Sequence, residues 1–504
     1  MRNKKLVRIL AIALAVLLAG GVVFSALISA LAEEQTEVAS VRNRCELTME
    51  YLADQQALRI TQRLIYTNPS AGRLQSVSFY CAGNMFRRES ALMYESDDLE
   101  KVIFAGYAPA GVDLLDVRCD GKPTGFGFQG EQEMVLRVDC DLAPGAQCAF
   151  EFDYYLLLMR CGAFQGVGDT DVRLSAFCFI PGVYDAEHGD FILKKPLPHT
   201  RWLYADPMDF DAILTLPAGY DLAGTGEIER DEASGEGVAW HVAAENVREM
   251  ALSFGRRWRV IERKTYSGVT VRVLSNARGT ASRAADLAAN AVERCEEWFG
   301  PFPYSKLDIA QSDYPLGALE YPGAVWVSSD LFRAKNAEAL AMRLRAAVAR
   351  QYFGQASTAE PVADAWLSDA IGEYIAYLLL EDAQGREAFL KAVNREWVPA
   401  LQQTVPGGLR LTSDASLFNA REYDIVVLQR GAVVLHELRQ AMGLENLLAG
   451  LRKFYEMGRD GRVLTEMDLV AALDAATGQS WEAFLTDWAF NVGDYANQPI
   501  DWFE

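Results

Sequence analysis

Histidine, the usual catalytic base and a common metal ligand, is scarce in this chain. The chain has four, His188, His199, His241 and His436. His436-Glu437 opens like a zinc-binding H-E-x-x-H helix, in which two imidazoles four residues apart share one helix face and converge on one metal. Gln440 stands where the second imidazole would be, so His436 is assigned to a helix surface or a core. No G-x-S-x-G and no C-x-x-C occurs, and a serine or cysteine triad in the second half would have only His436 as its base. Cys295 lies in an amphipathic helical pattern and is read as a core residue. Charged residues are many, and three of them, Glu320, Arg350 and Asp369, fall in the stretch that a family resemblance singles out. A carboxylate beside a cleft can hold an ammonium group without any metal. The alternative for Glu320 is an ion pair with a local Arg or Lys.

That stretch consists of three blocks. Leu316-Gly317-Ala318-Leu319-Glu320-Tyr321-Pro322-Gly323 comes first, then Ala346-Ala347-Val348-Ala349-Arg350-Gln351-Tyr352-Phe353-Gly354, then Ala365-Trp366-Leu367-Ser368-Asp369-Ala370-Ile371-Gly372-Glu373-Tyr374. Together they resemble the alanyl aminopeptidase family of gluzincin metallopeptidases, which carries G-x-M-E-N, H-E-x-x-H-Q-W-F-G and W-L-N-E-G in that order. The resemblance places the first zinc-binding His at Ala346, the general-base Glu at Ala347, the second His at Arg350 and the third ligand at Asp369. It further places an oxyanion-stabilising Tyr at Leu428, within Tyr423-Asp424-Ile425-Val426-Val427-Leu428-Gln429-Arg430-Gly431. Ala346 has no donor atom, Arg350 is a permanent cation, and Leu428 cannot stabilise developing negative charge. A catalytic zinc site needs three protein ligands, and of these positions only Asp369 can serve.

Zinc is the cofactor of active relatives, and no cofactor is expected here. By the same resemblance Gly317, Ala318 and Glu320 form the substrate-binding segment, Glu320 holding the free amine of a peptide and the small residues admitting its backbone as an added strand. Three functions follow as expectations: an inactive homologue that binds peptides or a protein partner at the cell surface, an active metallo-aminopeptidase with an unorthodox site, or a purely structural ectodomain. Arg350 is expected to pair with Asp369, because a carboxylate left in a partly dry cleft must be neutralised or paired. The alternatives are that Arg350 turns to solvent, to Glu320 or to Glu373.

The elements that must position these residues are legible from periodicity. Leu58, Ile60, Leu64 and Tyr66 alternate with Arg59, Thr61 and Arg63, and similar runs recur up to Met250–Phe254 between Pro and Gly turns. This predicts a β-sandwich or saddle-shaped domain over 38–258. Beyond it the apolar period changes: Ala284, Leu287, Ala288, Ala291, Val292 and Cys295 recur at three- and four-residue steps, and Gly300-Pro301 stops the helix. The fold class is thus α+β, with a thermolysin-like, mainly helical domain over 259–504 as the resemblance implies.

Residues 1–34 read as an export segment. Arg2, Lys4, Lys5 and Arg8 precede an uncharged run from Ile9 to Ala32 that is long enough to span a bilayer, and Ala30-Leu31-Ala32 has the pattern of a cleavage site. Membrane anchor and cleaved signal both stay open, and either places the bulk of the chain outside the cytoplasm. The eight cysteines, seven of them between Cys45 and Cys178, are read as disulfide partners or as small core residues. A net charge of -21 argues against a nucleic-acid partner, whose binding rests on clustered Lys and Arg.

Overall fold

The computed structural model describes residues 42–94, 96–231, 237–405 and 408–490. The expected export segment lies outside these residues. Among them, no helix is long and apolar enough to cross a membrane. The described residues from Asn43 onward form one compact unit.

Its first part is built from alternation. In the strand Ala57–Thr67, Leu58, Ile60, Leu64 and Tyr66 face inward while Arg59, Thr61 and Arg63 are exposed. The strand sits within an eight-stranded sheet that is antiparallel except where Arg44–Leu52 runs parallel to Met208–Pro217. A four-stranded sheet containing Leu74–Tyr80 packs against it. Phe79 of the smaller sheet meets Phe150 and Phe152 of the larger edge-on, with ring centroids 5.1 and 5.4 Å apart. One inward position is polar: Gln62 is fully buried, and its amide is satisfied by both the N–H and the carbonyl of Phe179. All eight cysteines are thiols, six of them buried.

The second part opens with a five-stranded sheet in which Thr270–Ser275, Lys306–Ser312 and Ala324–Ser328 run parallel to one another. Ala318–Tyr321 pairs antiparallel at the edge of that sheet. Helix α1 (Arg278–Phe299) buries Ala284, Ala288, Val292 and Cys295 and ends at Gly300, whose φ of 96° is open to glycine. Helix α2 (Ala337–Tyr352) and helix α3 (Trp366–Gln384) then pack against each other beneath the Ala318–Tyr321 edge. The larger apolar core runs from the sandwich into these helices, and a smaller cluster gathers around Trp258, Tyr321 and Trp326.

Candidate functional site

Helix α2 presents Ala346 and Ala347 to the core, each 1% exposed, and one turn later turns Arg350 toward α3. The Arg350 side chain is 6% exposed and stands among three carboxylates. Its Nη1 donates to Glu320 Oε1 at 3.2 Å, its Nε lies 3.6 Å from Asp369 Oδ1, and its Nη2 lies 3.6 Å from Glu373 Oε2. Nη2 also donates to the Asp369 carbonyl at 3.4 Å. Burial disfavours the guanidinium charge, but Glu320, Asp369 and Glu373 outweigh it and raise the Arg350 pKa. On the acid side, burial raises the Glu373 pKa against the pull of Arg350. Arg350 therefore makes the expected Asp369 pair and also reaches both of the acids that were its alternatives.

Two features of α3 make this possible. The sequence places Asp369 in its first turn, facing α2, and three residues on it carries Gly372. A Cβ at Gly372 would lie 2.5 Å from Arg350 Cγ, so the missing methyl is the space through which the arginine stem passes. Asp369 is held from its other side by hydroxyls: Oδ2 accepts from Tyr423 at 2.7 Å and from Thr200 at 2.8 Å. Burial and the adjacent Asp369 keep the Tyr423 phenol protonated by raising its pKa.

These groups open on a cavity of about 250 Å³. Ala318, Glu320, Arg350, Asp369 and Leu428 line it, and Tyr423 joins them. Gly317 stands outside the wall, with a φ of 103° and the Arg343 guanidinium 3.7 to 3.9 Å from where its Cβ would be. Ala346 and Ala347 are packed behind the wall. Glu320 lies on the edge strand, whose carbonyl at that residue accepts from Gln355 at 2.8 Å.

Sequence reasoning missed Tyr423, Thr200 and Arg201. Tyr423 stands five residues before Leu428, at the start of a segment wound as a π-helix over Asp424–Arg430, and it puts a phenol into the cavity that Leu428 cannot supply. Its place at the head of that block was the one available signal. Thr200 and Arg201 come from a loop with no local periodicity.

At the positions the resemblance gives to metal ligands and base, the side chains offer one donor group, Asp369, whose Oδ2 is already hydrogen-bonded twice and whose Oδ1 faces a guanidinium. That set does not fit zinc. Among the described residues, no three His, Cys, Asp or Glu side chains are grouped to hold a metal ion. His436 is elsewhere, buried against Trp397 and Phe389, with the Tyr374 hydroxyl 3.3 Å from Nδ1. Burial, helped by Arg439 and Arg386, lowers its pKa to about 4.

Residues 283–488 match the Peptidase family M1 domain. This match spans about two fifths of the chain, in its second half, and makes that region similar to the M1 peptidase family. The chain is similar to Aminopeptidase M1-B of Oryza sativa subsp. japonica, 27% identical over 46% of this chain and 28% of that protein's length. Aminopeptidase N of Lactococcus lactis subsp. lactis is 26% identical over 46% of this chain and 29% of its own length. The chain thus spans under a third of the length of these curated relatives. In fold, it is similar to the crystal structure of a mutant M1 zinc metallopeptidase from Deinococcus radiodurans, with a TM-score of 0.61 and 17% identity over 89% of this chain and 94% of that one.

Proposed function

We propose that this chain is a catalytically inactive member of the M1 family that binds peptides through their free N-terminal amine, outside the cytoplasm, attached to or released from the membrane by its first 34 residues. The observation that carries this is the Arg350 guanidinium held within 4 Å of Glu320, Asp369 and Glu373. In a metallopeptidase a cation at the centre of the site polarises water. A guanidinium balances charge but cannot bind or activate water as a Lewis acid. It leaves two carboxylates, Glu320 and Asp369, on the cavity wall around one guanidinium, with Glu373 behind them facing both Arg350 and Arg343. Such a site favours an incoming ammonium, and Glu320 on the edge strand is placed to receive it.

The test is calorimetric titration of the full chain, with chelator present, using penta-alanine with a free and with an acetylated N-terminus. A charge-assisted hydrogen bond is worth roughly 1.5 to 3 kcal/mol, so acetylation is expected to weaken binding by about ten- to a hundredfold. Equal affinities, or no binding of the free peptide, would overturn the proposal.

A further inference from the structure

We infer that the cavity takes short peptides with both ends free, the amine at Glu320 and the carboxylate at Arg201 and Arg248. This rests on the peptide-binding reading above and adds the far end of the ligand. The same cavity that Glu320 and Asp369 line on one side is lined on another by Arg201 and Arg248. Both arginines are anchored on backbone carbonyls. Arg201 donates Nη1 to Gly354, and Arg248 donates to Ala205 at 2.6 Å and to Gly461 at 2.8 Å. Among the described residues, neither forms an ion pair. The Arg201 Nε is buried and has no hydrogen-bond partner.

The nearest acids balance them only in part. Glu249 also lines the cavity, and burial pushes its carboxyl up to about 8, although Arg201 and an amide contact at Ala176 pull it down. Burial likewise raises the pKa of Asp206, the acid that Arg248 faces. With the Glu249 carboxyl held up to about 8, two guanidiniums face one other acid, Asp206, at this end, while Glu320 and Asp369 stand around Arg350 at the other. A guanidinium fork with a free Nε suits a carboxylate.

The two ends are close in the chain. Gly354, on which Arg201 leans, precedes Gln355, whose side chain holds the Glu320 carbonyl at 2.8 Å. At about 250 Å³ the cavity lies below the roughly 300 to 1,000 Å³ of sites for drug-sized ligands, which favours a short zwitterion over a long chain.

The experiment is calorimetric titration of the full chain with tri-alanine in four forms: unmodified, N-acetylated, C-amidated and both. Acetylation and amidation are each expected to weaken binding about tenfold or more. In Arg201→Gln the amidation penalty is expected to vanish while the acetylation penalty stays. The four-peptide comparison on the unaltered protein is decisive even where that variant fails to fold. If acetylation weakens binding and amidation does not, the inference falls and the amine-binding reading stands. If neither tri-alanine nor penta-alanine binds, both fall together.

Discussion

Arg173 and Arg350 are both buried beside carboxylates, and they are held in opposite ways. Arg173 is fully buried, as is its partner Asp171. Its Nε donates to the Ala163 carbonyl at 2.8 Å, Nη1 to Asp171 and Nη2 to the Cys161 carbonyl. Asp171 is completed by the Ser312 hydroxyl at 2.8 Å and the Asp313 amide at 3.1 Å. There is one acid for one cation, and every nitrogen of the guanidinium is used. Arg350 instead faces three acids at 3.2 to 3.6 Å, its Nε has no hydrogen bond, and it stands on a cavity wall. A buried polar cluster that is satisfied in full fixes structure. One left with unmatched charge beside open space is suited to a ligand.

The largest expected difference between the two is in stability. Arg173→Met strands Asp171 in a dry interior and is expected to destabilise by about 3 to 5 kcal/mol in denaturant unfolding. A loss near zero would show that the Arg173 cluster is not the sealed one. His436 extends the structural side of the comparison to pH. Its folded pKa of about 4 lies below the ordinary 6.5, so as pH falls through that window the unfolded chain takes up a proton that the folded chain refuses, and stability is lost. The full contribution is present above pH 6.5. The stability difference between the parent and His436→Gln is expected to narrow by about 3 kcal/mol between those limits, read from unfolding curves at several pH values. A constant difference would mean that His436 is not sealed in its neutral form.

Arg350→Met should cost less than Arg173→Met, about 1 to 3 kcal/mol, because Asp369 keeps the Tyr423 and Thr200 hydroxyls and Glu320 borders the cavity. It should also tighten binding of a free-amine peptide, since the remaining acids then lack their internal cation. A loss as large as that of Arg173→Met, with no gain in affinity, would erase the distinction between the two sites.

The smallest effect is the most specific. Gly372→Ala gains roughly 0.5 to 1 kcal/mol of helix propensity but drives a methyl into the Arg350 stem, so a net loss of about 1 kcal/mol is expected. In an Arg350→Ala background the same change should stabilise. Equal effects in both backgrounds would show that Gly372 and Arg350 are not coupled.

Much of this was legible in the chain. Alternation in Leu58–Tyr66 marked the sandwich, and the three- and four-residue steps ending at Gly300-Pro301 marked α1. The resemblance of the three blocks implied that Arg350 and Asp369 meet from adjoining helices. The partners of Asp369 were not legible. Thr200 lies 169 residues from it and Tyr423 54 residues, in segments whose local pattern reports helix or loop but not what they meet across the fold. Gly372 was quoted among the block residues, but only the packed geometry shows that its missing methyl is where Arg350 passes. Periodicity reports which face of an element is buried, and contacts between distant segments need the tertiary structure.

Where the resemblance expects zinc the chain sets the Arg350 guanidinium, and metal content tests that replacement most directly. Full-length protein purified from zinc-supplemented medium, without chelator, should carry far less than one zinc per chain by plasma mass spectrometry. Near-stoichiometric zinc that survives dialysis and is lost in Asp369→Asn would contradict it.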